Sequence, residues 1–102
     1  MPYRKVQKGN YVSYDQKDYK VADIIKDQGT GEDAFYKLED YPGIWVHASL
    51  TNYVDISALY NRRRHRKVKY LLNNRQYPPF KYVHEFQNAY KKAYGRPWRG
   101  TL

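Results

Sequence analysis

The chain has 102 residues, with 19 Lys and Arg against 10 Asp and Glu, a formal net charge of +9. It has no cysteine, which excludes disulfides, thiolate metal sites and cysteine nucleophiles together. At this length one domain with a modest core is expected, and since 18% of the residues are aromatic, 13 of them tyrosines, rings must supply much of that core.

The charge is segregated. Residues 1–54 hold seven basic and eight acidic side chains, a net of −1, whereas residues 55–102 hold 12 and two, a net of +10. A field of one sign concentrates polyanions, of which phosphate backbone is the commonest, with an acidic protein surface or an anionic membrane behind it. The amino-terminal MPYRKVQKGN lacks a signal-peptide core. No apolar run approaches the roughly 18 residues of a membrane span. The expected location is therefore intracellular (cytoplasm, nucleoid or nucleus) or virion-associated, with no membrane partner.

In chain order, Asn10–Tyr14 alternates around Val12 and is followed by a polar turn over Asp15–Asp18. Tyr19–Ile25 alternates through Tyr19 and Val21 and then reaches Ile24 and Ile25 together, which predicts a bulge or a fully buried end. After a loop over Gln28–Asp33, Ala34–Leu38 reads as a third strand and Ile44–Ala48 as a fourth. One helical turn over Ser49–Asn52 leads to a short fifth strand, Tyr53–Ile56. Five short strands about 10 residues apart fit a small closed barrel of the SH3-like kind, because closure removes exposed edges. The expected interior is Val12, Val21, Ile24, Leu38 and Val46.

The succession Gly9-Asn-Tyr-Val-Ser-Tyr14, Tyr19-Lys-Val-Ala-Asp-Ile-Ile25, Tyr36-Lys-Leu38 and Gly43-Ile-Trp-Val-His-Ala-Ser49 resembles the SH3-like DNA-binding domain at the carboxyl end of retroviral integrases. Similar strings occur in Tudor-like and phage small barrels. The resemblance spans about residues 8–55 and implies a barrel that contacts nucleic acid. It departs at Leu50, where the gammaretroviral pattern has a second histidine, and 102 residues hold no counterpart of the integrase catalytic domain. No catalytic residue is carried over.

Beyond the strands, Asp55 or Ser57 is placed to cap a helix running to Leu72, with Ile56, Leu59, Tyr60, Val68, Leu71 and Leu72 near a 3.6-residue spacing, the alternative for Val68–Leu72 being a strand. Its middle, Asn61-Arg-Arg-Arg-His-Arg-Lys-Val-Lys-Tyr70, carries six fixed positive charges and no carboxylate. Pro78 and Pro79 end that pattern. A second helix is predicted from Lys81 or Tyr82 to Tyr94, stopped by Gly95. Tyr82, Val83, Phe86, Ala89, Tyr90, Ala93 and Tyr94 form its apolar face, and His84, Gln87, Asn88, Lys91 and Lys92 its polar face. Trp98, flanked by arginines, either pins the tail to the fold or is offered to a partner. The expected class is therefore α+β: residues 1–56 a five-stranded SH3-like barrel and residues 57–102 a basic extension of two helices packed on it as one structural unit.

His47, His65 and His84 lack metal-ligand spacing. Gln28-Gly-Thr-Gly31 lacks the Lys-Ser/Thr of a phosphate loop, and no serine stands in a nucleophile elbow. No enzyme and no cofactor are expected. The arginine-rich run suits bidentate phosphate contacts, so the expected nucleic-acid site is Arg62, Arg63, Arg64, Arg66, Lys67, Lys69, Lys91, Lys92, Arg96 and Arg99. Without a base-reading motif the binding is expected to be backbone-directed, to DNA or RNA. The alternative is a protein-interaction or assembly module, a Tudor-like reader or a phage or viral structural subunit that docks on an acidic protein. An aromatic cage of Tyr14, Tyr19, Tyr36 and Trp45 would serve the reader.

Overall fold

A computed structural model describes residues 5–41, 43–60, 66–73, 80–100 and 102. Strands β1 (Tyr11–Tyr14) and β2 (Lys17–Lys26) form a hairpin. Its turn is two residues long, with Asp15 at φ 50° and Gln16 at φ 64°. Two positive φ values give the mirror-image turn whose twist matches antiparallel strands. Tyr14 therefore pairs with Lys17, and Lys17 and Asp18, expected in the turn, belong to β2.

Strands β3 (Asp33–Leu38), β4 (Trp45–His47) and β5 (Asn52–Tyr53) complete an antiparallel sheet in the order β4-β3-β2-β1-β5. A 3-10 turn over Ala48–Leu50 links β4 to β5 where one helical turn was expected. The pairing of β2 with β3 shifts register between Val21 and Asp23 and again between Ile25 and Lys26. Such bulges bend and twist a strand, which lets the ten-residue β2 serve both β1 and β3 and curls the sheet.

The edges do not meet. Among the described residues β4 and β5 are the two ends of the sheet, so the architecture is a curled half-barrel where closure was expected. The fifth strand is also shorter than Tyr53–Ile56. Its continuation pairs with the helical half instead: the Val83 N–H donates to the Val54 carbonyl (2.9 Å) and the Ile56 N–H to that of Lys81 (3.0 Å).

Helical backbone is found in α1 (Ser57–Tyr60), α2 (Arg66–Asn73) and α3 (Val83–Tyr94). The single helix expected over 57–72 is thus met at both ends, and residues 61–65 lie outside the described ones. Asp55 begins α1, its carboxylate accepting the Ser57 N–H at 2.8 Å. This bond, and the Ser57 hydroxyl, hold the Asp55 carboxyl below the usual carboxylate range. At the start of α3, Glu85 reaches back to accept the N–H groups of Tyr82 (3.1 Å) and Lys81 (3.0 Å), satisfying donors the helix cannot. Gly95, at φ 69°, closes the helix by donating to Lys91.

Two apolar clusters result, and β1 divides them. Val12 faces the cluster inside the curl, with Val6, Val21, Tyr36, Leu38 and Val46. Tyr11, one residue earlier and so on the other face, joins the helical cluster around Leu59, Val68, Leu71, Val83, Phe86 and Trp98. Of the five residues expected inside the sheet, Ile24 alone is half-buried, packed against the cluster's edge.

Candidate functional site

The helix α3 overturns one expectation about its faces. His84, Gln87 and Asn88, assigned to a solvated polar face, are buried, and Ala93, assigned to the apolar face, is exposed beyond the docked turns. The reason lies in β1. Its partner β5 covers only Val12 and Ser13, which leaves the backbone of residues 9–11 without a strand on that side. The Gln87 amide fills the place: its oxygen accepts the Tyr11 N–H at 2.8 Å and its nitrogen donates to the Gly9 carbonyl at 3.0 Å. One side chain thus reproduces the two bonds a parallel strand residue would make around Asn10. Asn88 extends the network, accepting from the Asn10 side chain (2.9 Å) and donating to the Lys5 carbonyl (2.7 Å).

This docking has an electrostatic consequence. Residues 57–102 contain one acidic side chain, Glu85, and it is buried at 9% exposure and occupied in capping α3. Lys69 on α2, Lys91 and Lys92 in the last turn of α3, and Arg96 and Arg99 in the following segment are all exposed. Apart from Asp55, exposed at the start of α1, the described surface of the helical half therefore presents cations with no side-chain carboxylate. The sheet half differs: Lys8 pairs with Asp23 at 3.3 Å, and the Ile24 N–H together with Lys8 holds the Asp23 carboxyl low.

Of the remaining expected site residues, Arg66 and Lys67 fall in the first turn of α2, and Arg62, Arg63 and Arg64 lie outside the described residues. Trp98 is not offered to a partner. Its indole is buried edge-on against Phe86, with centroids 5.5 Å apart, and Gly100 lies so close over it that a Cβ would collide with the ring.

The four rings expected to form a cage are not brought together. Tyr36 is buried inside the curl, and its hydroxyl donates to Asp33 at 2.7 Å. Burial first, then that bond and the Asp33 charge, push its ionisation far above the ordinary tyrosine range. Trp45 neighbours Val46 in β4 and so points to the opposite, exposed face. Tyr14 and Tyr19 close on a third ring, Tyr41, at 5.5 and 5.8 Å, both edge-on. Tyr41 came from a turn and carried no strand periodicity to mark it.

A groove of about 680 Å³ opens between the β2–β3 loop and the turn before β5. Lys5, Lys26, Glu32 and Asp33 line it together, so its charge is mixed and it does not compete with the helical surface for a polyanion. His47 and Ser49 lie 2.7 Å apart, but both serve the local 3-10 turn, whose Ser49 N–H the imidazole accepts. Among the described residues no helix is long and apolar enough to cross a membrane. Comparison with protein families, with curated proteins and with solved structures finds no match for this chain.

Proposed function

We propose that this chain is a small noncatalytic nucleic-acid-binding protein whose basic helical half binds the phosphate backbone while an SH3-like half-barrel supports it. The observation that carries the reading is the segregation of charge: the helical half exposes Lys69, Lys91, Lys92, Arg96 and Arg99, and its one carboxylate is buried in a helix cap. An ordinary solvated helical surface mixes both signs. The strand order, and the 3-10 turn between β4 and β5, support the SH3-like assignment of the half-barrel. With no base-reading element in view, recognition is of backbone and shape.

The test replaces Arg62, Arg63, Arg64, Arg66 and Lys67 by Gln and measures affinity against salt for unrelated sequences. Binding is expected to weaken about equally for all of them. The slope of log affinity against log salt should flatten by about 0.9 for each lost duplex contact. Unchanged affinity in a folded variant would remove the basic run from the site.

One observation favours a second reading, an assembly module. Ile25, Phe35 and Trp45 are exposed on the outer face of β2–β4, an apolar surface suited to a protein neighbour. Its Tudor-like form is disfavoured, because Tyr36 is spent in the core.

A further inference from the structure

Helix α2 buries Val68 and Leu71 against the helical cluster. Positions 66, 69, 70 and 73, spaced i, i+3, i+4 and i+7, share the other face. Three of these, Lys69, Tyr70 and Asn73, are exposed side chains.

Tyr70 differs from the other described tyrosines. It is 58% exposed. Tyr11, Tyr36 and Tyr90 are buried, and Tyr14, Tyr19, Tyr41, Tyr82 and Tyr94 are at least half covered. Tyr53 is nearly as exposed, at 53%, but its ring is engaged by Tyr82 at 4.9 Å and His84 at 4.6 Å. Among the described residues, no other ring stands against Tyr70.

We propose that Tyr70 is a stacking platform for an unpaired base, with Lys69 holding the adjoining phosphate, so that the preferred ligand is single-stranded nucleic acid. The inference rests on the nucleic-acid reading above and narrows its ligand class. A duplex buries its base faces in its own stack and offers an exposed ring nothing to lie on. A single strand offers a π-face at every base whatever the sequence, and aromatic rings beside cations are the usual device for holding one. Charge complementarity selects a polyanion over an apolar protein partner: the next ionisable residue is Lys69, and residues 57–84 contain no carboxylate.

The test compares wild type, Tyr70→Ala, Tyr70→Phe and Tyr70→Trp on short unstructured RNA, on DNA of the same sequence, and on the matching duplex, at one salt concentration. Tyr70→Ala is expected to weaken single-strand binding roughly 5- to 150-fold, as loss of one base stack does, and to leave duplex affinity unchanged. Tyr70→Phe and Tyr70→Trp should bind single strands like wild type, and the introduced tryptophan's fluorescence should be quenched on binding. The RNA and DNA arms show which sugar is preferred without bearing on the stack. If Tyr70→Ala binds single strands as wild type does, or loses single strand and duplex alike, the stacking role is overturned while phosphate binding stands. If wild type binds neither single strand nor duplex, the proposal falls together with the reading beneath it. Melting curves accompany each variant, since an exposed ring is expected to leave the fold unchanged.

Discussion

In the sheet, side chains alternate: Val12, Val21, Tyr36, Leu38 and Val46 turn inward, and charges of both signs stand outside. In α3 the division fails, because His84, Glu85, Gln87 and Asn88 are buried alongside Val83, Phe86 and Ala89. The two regions thus use polar groups in opposite ways. The sheet satisfies its backbone by strand pairing and leaves polar side chains to water. The helix lends its polar side chains to complete a strand edge, and what remains at its exposed end is cationic. Burying Glu85, Gln87 and Asn88 therefore docks the helical half and also leaves its outer surface positive.

The comparison breaks most decisively at Val46, which is almost fully buried inside the curl. Val46→Asp places an unpaired charge there, costs several kcal/mol, and is expected to unfold the sheet. If β1 couples the two clusters as Tyr11 and Val12 suggest, helical and strand signals should be lost in one transition followed by far-UV circular dichroism. Helical signal that survives the loss of the sheet would show two independent units.

The mirror experiment lies on the other side of β1. Phe86 is fully buried and meets Phe80, Tyr90 and Trp98. Phe86→Ala is expected to lower stability by about 3–5 kcal/mol in denaturant unfolding. A wild-type midpoint would mean that α3 is not docked, leaving a sheet with a basic tail.

Smaller, and more specific to the interface, is Gln87→Met, which keeps the volume and removes the amide. The Tyr11 N–H would then be left buried without its partner, and the part-buried Gly9 carbonyl would lose its own, for a loss of about 1–3 kcal/mol. Faster hydrogen exchange at the Tyr11 amide should accompany it. Unaltered exchange there would mean that the strand edge finds another partner and that the Gln87 bonds are incidental.

Much of this was legible beforehand, and the parts that were not share a cause. The strand positions showed because alternation is local: Val12, Leu38 and Val46 advertise their face through immediate neighbours. Phe86 and Tyr90 showed through helical spacing in the same way. Burial of Gln87 and Asn88 depends on partners 76 to 83 residues away, and nothing near them distinguishes a docked amide from a solvated one. Tyr36 in the core and Trp45 outside it follow from strand parity, which the cage reading of aromatic content had set aside. Trp98 shows the same limit, since the sequence left it either pinned to the fold or offered to a partner, and the ring that pins it, Phe86, lies in α3. Of the candidate site, the segregation of charge was plain in the sequence. What required the structure was that Glu85, the one carboxylate beyond Asp55, is withdrawn from the surface into a cap.

The smallest expected effect sharpens the contrast where the helix leaves its dock. Lys91 and Lys92 lie in the last turn of α3, exposed, beside residues whose polar atoms are buried. Positive charge there complements the negative end of the helix dipole, so Lys91→Gln with Lys92→Gln should cost only a few tenths of a kcal/mol and barely move the melting temperature. Binding should respond more than stability does. If the cationic surface continues from α2 to the end of α3, the double variant weakens nucleic-acid binding at low salt and flattens the salt slope by one contact for each lysine engaged. Wild-type binding with the same small stability loss would assign these lysines to the helix alone and confine the contact surface to residues 61–70, where the charge is densest and Tyr70 is exposed.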